Sequence, residues 1–253
     1  MIRRVTSAAL ARAGYRLSRV DAAAAGGGLT RSMADVLSLA ARLGARPATV
    51  IDVGVASGTP ALHQAFPDAA LVLVEPLSEF AEACTTALCG RRGVHIAAAA
   101  GSTDGSAIIN VHVGELEGSS LYRESMGSSF DGSQRLVDTV RVDTVIERGG
   151  HEGPFVLKVD VQGAELDVLD GSRKTLRDCQ LVLLEVSLYE FLQGGPQLAD
   201  VVGYMADQGF AVFDVFGGHF RPLDGALGQI DLAFVRSDGP LRSDHRWAST
   251  DDA

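Results

Sequence analysis

Lysine is almost missing from this 253-residue chain: Lys158 and Lys174 stand against 20 arginines. With abundant alanine and glycine, that bias is the mark of a GC-rich bacterial gene. Cysteine is scarce too. Cys84, Cys89 and Cys179 are odd in number and lack CxxC spacing, which argues against a disulfide framework or a thiolate zinc site and leaves them as buried fillers. No apolar run approaches the roughly 20 residues of a membrane-spanning helix, and the first segment lacks the apolar stretch and cleavage site of a signal peptide. A cytoplasmic location is expected. Basic charge is short overall: 32 acids against 22 bases give a net charge of −10, a field that repels phosphate backbones, so nucleic acid is not an expected partner. The remaining composition, 46% apolar and 21% charged, suits a globular chain with one large core or two small ones.

The few basic residues cluster. Met1 to Val20 holds five arginines and no acid, with apolar residues at loosely helical spacing, which predicts an amphipathic helix. Packing on the domain or on a second copy of the chain, as in a homodimer, is the favoured role; an anionic membrane surface is the other contact it admits. Ala22 to Gly28 reads as a hinge and Ser32 to Leu43 as a second helix. Residues 1–48 thus form an N-terminal helical extension.

From Thr49 the pattern becomes short apolar runs alternating with helical segments, the order of a parallel α/β domain spanning 49–236, with 237–253 as a tail. Expected strands are Val50–Val53, Leu71–Val74, Val94–Ala97, Phe155–Val159, Leu181–Glu185, Phe210–Val215 and Ile230–Val235. Helices are expected over Ala61–Ala65, Ser78–Cys89, Ala164–Leu176 and Gln197–Gln208. Continuous hydrophobicity fits strands covered on both faces. Only a glycine-rich turn separates the last two, so they pair as an antiparallel hairpin. The prediction is a mostly parallel seven-stranded sheet ending in that hairpin. An inserted segment, 106–143, carries two alternating runs, Ala107–Val113 and Val137–Val142, around the polar stretch Gly118–Ser133, and its position favours a substrate-covering role.

Chemistry concentrates at the strand ends. The first strand runs into Asp52, Val53, Gly54, Val55, Ala56, Ser57 and Gly58, a turn that lets backbone approach a ligand and offers amides to an anion. About 20 residues on, Glu75 and Pro76 close the second strand, and an acid there accepts both hydroxyls of a ribose. Together they indicate a nucleoside-containing cofactor. A pyrophosphate wants glycine at the position of Ala56, so the spacing leans to S-adenosylmethionine over a nicotinamide dinucleotide. The densest run is Leu157 to Glu165, whose Asp160 lies beside Glu185 of the next strand. Two such carboxylates hold a divalent cation such as Mg2+, share a proton, or position a substrate hydroxyl. Lys158 is equally well read as an internal partner of a neighbouring carboxylate.

These residues resemble the FkbM-type methyltransferases. The likeness rests on Ile51–Gly58, Val74–Pro76 with Phe80, Ser119–Leu121, Arg141–Asp143, Leu157–Glu165 and Gln229–Val235, and covers about Thr49 to Arg236. It implies the class I Rossmann-like methyltransferase fold, S-adenosylmethionine as cofactor, and O-methylation of a sugar, glycolipid or secondary metabolite. Many members read Asp-Val-Gly-Ala-Asn in the first turn; here Val55, Ala56 and Ser57 follow Gly54, so no asparagine contact carries over. On this reading Asp52 and Gly54 to Ser57 belong to the methionine end, Glu75 and Pro76 to the ribose, Gly101 and Ser102 to the adenine, and Asp160 lies beside donor and acceptor. Three routes take the acceptor's proton: a metal on Asp160 and Glu185, those carboxylates without metal, or His219. The other histidines have no partner motif. A nicotinamide-dependent oxidoreductase and a non-catalytic nucleoside-binding module are the alternatives.

Overall fold

Valine- and leucine-rich runs, too short for stable helices, become strands once both their faces are covered. The computed structural model describes residues 31–248. Its strands are β1 (Thr49–Val53), β2 (Ala70–Val74), β3 (Gly93–Ile96), β4 (Ala99–Ala100), β5 (Gly105–Val111), β6 (Ser133–Val140), β7 (Phe155–Val159), β8 (Cys179–Ser187), β9 (Phe210–Phe220) and β10 (Leu227–Arg236). Seven of them form one sheet in the order β3-β2-β1-β7-β8-β10-β9. The pairs from β3 through β8 are parallel, and β10 runs antiparallel to both β8 and β9. This is the class I methyltransferase order. The hairpin expected from the sequence is there, with the reversed strand slotted inside the sheet and β9 at the edge.

Helices α1 (Met33–Arg42), α2 (Pro60–Ala65), α3 (Ala81–Leu88), α4 (Val142–Gly149), α5 (Glu165–Asp170) and α6 (Leu198–Asp207) cover the two faces. On one, Ile51, Val72, Leu157 and Val182 pack against α4, α5 and α6; on the other, Val50, Leu71, Val156 and Leu181 pack against α1, α2 and α3. Full burial of such side chains contributes about 1.5–3 kcal/mol each. α1 starts where expected because Ser32 caps it: the Asp35 N–H donates to Ser32 Oγ, and the Ser32 N–H donates to Asp35 Oδ2.

Several boundaries differ from expectation. Val142, read as the end of an alternating run, opens α4, and Asp143 in its first turn accepts the N–H groups of Lys174 and Thr175 and the Thr175 hydroxyl. The helix expected over Ala164–Leu176 ends at Asp170, capped by Gly171, where a Cβ would lie 2.1 Å from the Gly101 carbonyl oxygen and only glycine fits. Cys84 and Cys179 are buried, but Cys89 is exposed and fills no core. The expected Met1–Val20 helix and Ala22–Gly28 hinge lie outside the described residues. None of the described helices is long and apolar enough to cross a membrane.

The inserted segment contributes β5 and β6 to a second sheet, β4-β6-β5. β5 and β6 overlap the segment's two alternating runs, β6 starting four residues before the second, and pair antiparallel from Gly105↔Thr139 to Val111↔Ser133. Leu77, Ala99, Ile109, Val111 and Val137 form its small core, with Phe80, Leu116 and Leu121 against it. That core fixes the segment beside the carboxyl ends of β1 and β2.

Candidate active site

A cleft of about 420 Å3 opens at the carboxyl ends of the parallel strands, where ligands of open α/β sheets bind. Gly54 to Thr59 from the β1–α2 turn, Glu75 and Pro76 after β2, Asp160 after β7, Glu185 of β8, His219 of β9 and Gln229 of β10 all line it.

The turn is dictated by contact. Gly54 has φ +74°, and a Cβ on it would sit 1.8 Å from the Asp160 carbonyl oxygen. Ala56 adopts φ +47°, a conformation uncommon for a residue with a side chain, and its N–H donates to Glu75 Oε2 at 2.9 Å. The Leu77 N–H donates to Glu75 Oε1 at the same distance. Burial pushes the Glu75 carboxyl up, more than these amides and Lys158 pull it down. Ser57 donates from its hydroxyl to Glu117 Oε1 at 2.6 Å, joining the turn to the second sheet's connecting loop.

Behind the turn runs a chain of buried charge. His63 Nε2 lies 2.7 Å from Asp52 Oδ2, and Lys158 Nζ lies 3.4 Å from Asp52 Oδ1 and 3.3 Å from Asp160 Oδ2. Lys158 also donates to the Gly54 carbonyl at 2.6 Å. Burial opposes the Asp52 charge, yet Lys158 and His63 carry its carboxyl below the usual range; burial likewise opposes the Lys158 charge, and Asp52 and Asp160 outweigh it. Lys158 is thus the internal partner the sequence allowed. His63 does have a partner, contrary to expectation. Lys158→Met leaves the buried Asp52 with His63 alone, and breaking a buried pair in this way costs about 3–5 kcal/mol. Thermal unfolding should show the midpoint falling by about 10 °C.

At the far strand ends the acids meet. The Gln162 Nε2 donates to Asp160 Oδ1 at 3.2 Å and to Glu185 Oε2 at 2.7 Å, and Gln229 Nε2 donates to the same Glu185 oxygen at 3.1 Å. Glu185 Oε1 takes no N–H from any described residue and lies 3.7 Å from His219 Nε2. Burial first, then the Asp160 charge, pushes the Glu185 carboxyl up to about 8. Asp231, opposite Glu185 in the β8–β10 register, rises to about 6 for the same two reasons. Among the described residues no group of three or more His, Cys, Asp and Glu is arranged to hold a metal. The Gln162 amide bridges Asp160 to Glu185 and the Lys158 ammonium faces Asp160, so three of the pair's four oxygens already meet N–H groups. The pair does not fit the Mg2+ expected between them.

Of the expected site residues, Gly54, Val55, Ala56, Ser57, Glu75, Pro76, Asp160, Glu185 and His219 converge on the cleft. Asp52 does not: it is fully buried behind the wall, held by His63 and Lys158. Gly101 and Ser102 also lie off the cleft, because the Gly101 N–H is committed to the Val140 carbonyl, and Ala99 and Ala100 of β4 face it in their place. Ser120, part of the stretch expected to cover substrate, is committed internally, accepting the Tyr122 N–H and donating to the Gln162 carbonyl. Gln162 and Gln229 lie inside the family-like stretches, but their types gave no sign of a role. Asp231, a lone acid in an apolar strand, carries a signal in the sequence itself.

Residues 52–212 match the methyltransferase FkbM domain. Magnesium protoporphyrin IX methyltransferase from Synechocystis PCC 6803, solved with bound SAM, is 14% identical, with 81% of this chain and 78% of that one covered and a TM-score of 0.44. The 1,6-didemethyltoxoflavin-N1-methyltransferase of Burkholderia thailandensis, solved with 1,6-didemethyltoxoflavin and S-adenosylhomocysteine, is 15% identical, with 80% and 77% covered and a TM-score of 0.41. Precorrin-6y C5,15-methyltransferase from Geobacter metallireducens is 9% identical, with 83% and 91% covered and a TM-score of 0.41. No curated protein sequence matches the chain.

Proposed function

The chain belongs to the FkbM methyltransferase family, and on that premise we propose that it transfers the methyl group of S-adenosylmethionine to a hydroxyl oxygen of a sugar, glycolipid or other secondary metabolite. The cleft's donor set suits that cofactor. Glu75, fixed by two backbone amides and set at the end of β2, has lone pairs left for two vicinal ribose hydroxyls. The turn from Gly54 to Ser57 holds the methionine end, and the Asp160 carboxylate offers negative charge beside it. Leu77, Phe80, Ala99, Ile109 and Leu116 supply an apolar wall for the adenine. S-adenosylmethionine supplies, when bound, a methyl group on a positively charged sulfur.

The chain's own work is to place the acceptor oxygen in line and to take its proton. The observation that carries this reading is Glu185: one carboxylate oxygen anchored by two amides, the other unbonded in the cleft beside His219. Glu185 accepts the hydroxyl proton as the oxygen forms its bond to the methyl carbon and the carbon–sulfur bond breaks. His219, largely exposed, then passes that proton to solvent.

Calorimetric titration tests the donor half. S-adenosylhomocysteine should bind and NAD should not, and Glu75→Ala should weaken the former about 10- to 100-fold through loss of charge-assisted hydrogen bonds. Turnover with isotopically labelled methyl donor and a panel of polyols and their amino counterparts tests the acceptor half. An O-methyl product is expected; a methyl found only on nitrogen or carbon overturns the hydroxyl assignment.

A further inference from the structure

The acceptor end of the cleft is organised by a residue that touches both carboxylates. Gln162 donates to Asp160 and Glu185 through one nitrogen, and its Oε1 accepts from Gln229 Nε2 at 3.3 Å. The backbone beneath it is strained. Gln162 has φ +52°, a left-handed conformation that costs an ordinary side chain on the order of 1 kcal/mol and persists where the surroundings enforce it. Two neighbours enforce it here. The buried Ser120, carried by the loop of the second sheet, donates to the Gln162 carbonyl at 2.5 Å, and Leu192 packs against Gly163, whose own φ is +94°.

We infer that Gln162 is a positioning residue for the reaction: its amide holds the Asp160 and Glu185 carboxylates together and leaves Glu185 Oε1 free beside His219, while Ser120 locks the backbone that aims the amide. The inference rests on the assignment of Glu185 as the base. Without the bridge two carboxylates face each other with no donor between them, and Glu185 swings or retains its proton. The charged groups around Glu185 are Asp160 with Lys158 behind it, Asp231 across the sheet, and His219 at the opening. The Gln162 amide is the neighbour that favours the ionised form most. The inference also gives the second sheet a role beyond covering substrate, because its Ser120 holds the Gln162 backbone whose side chain bonds the acid pair.

The test is the pH dependence of turnover in Gln162→Gly, which suits the left-handed backbone and removes the side chain that carries the bridging amide. Expected are a kcat at least about 10-fold lower, a rise of kcat with pH displaced upward by about one pH unit, and S-adenosylhomocysteine affinity within about twofold of the parent protein. Gln162→Asn, also tolerated at positive φ but too short to bridge, should behave alike, and Ser120→Ala should move both quantities the same way by a smaller factor. A purely structural role would lower the yield or the melting midpoint and leave the pH profile in place, and that result overturns the inference. Glu185→Gln separates the two levels. If it is inactive while Gln162→Gly keeps the parent kcat and profile, the inference alone falls; if it is fully active, the base assignment falls and the inference with it.

Discussion

Glu185→Gln should lower kcat by about 100- to 10,000-fold, the range expected for loss of a general base, while S-adenosylhomocysteine binds as before. In the parent protein, kcat should rise with pH through about 8, where the Glu185 carboxyl ionises. The same substitution should stabilise the ligand-free protein in alkaline solution. An unfolded chain gives up this proton near the ordinary carboxylate value of about 4.5, whereas the folded protein keeps it to about 8. The stability contributed by the neutral group is therefore full below the lower value and is lost as pH rises to the higher one. Glu165, pushed up to about 7 by burial, and Asp231, at about 6, act in the same direction over narrower windows. Thermal melting from pH 5 to 8 should show a falling midpoint in the parent and a flatter course in Glu185→Gln. At pH 8 the variant should melt about 2–6 °C higher.

Gly54→Ala should abolish donor binding. The new Cβ would lie 1.8 Å from the Asp160 carbonyl, so either the turn leaves the cleft or β1 and β7 part at their ends. Both movements pull Ala56 away from Glu75 and Lys158 away from the Gly54 carbonyl. S-adenosylhomocysteine affinity should fall more than about 100-fold, and the melting midpoint should drop by at least several degrees, since the φ of +74° alone costs about 1–2 kcal/mol. Gly58→Ala is the control. Gly58 also has positive φ, +111°, but no heavy atom within 4 Å of a Cβ there, so only backbone strain is added. Its affinity should stay within a few-fold of the parent. Equal losses in the two variants would assign the effect of Gly54 to strain rather than to its contact with Asp160.

Sequence patterns carried the sheet well and the pairings beneath the cleft poorly. Apolar runs bounded by turns are local signals, and each of the seven strands of the main sheet overlaps its expected position. Gly54, Glu75, Asp160 and Glu185 are legible because each follows a strand or lies near its carboxyl end, where the fold brings polar residues to one rim. The Asp52–Lys158 contact depends on parallel register, which sets these residues side by side across 106 positions of chain, and no local pattern encodes register between distant strands. His63 joins that pair from a helix on another element. The Gly101–Ser102 expectation missed by two residues because β4 is only Ala99–Ala100, too short to leave a periodic trace. Gln162 and Gln229 give no signal for a different reason: an amide side chain looks the same in sequence whether it meets water or bridges two acids in a cleft.

The interleaved sheet order bears on how the protein is made. β10, synthesised after β9, lies between β8 and β9 in the sheet. Until Leu227–Arg236 has left the ribosome, the buried backbone edge of Cys179–Ser187 has no partner, and Leu183 and Leu184 stand at an open rim suited to wrong pairing. Glu185 over that interval lacks Gln229 and Asp231 alike. The nascent chain thus completes the surroundings of Glu185 in the same step that closes this open edge, and substitutions that slow the docking of β10 should raise the demand for chaperones.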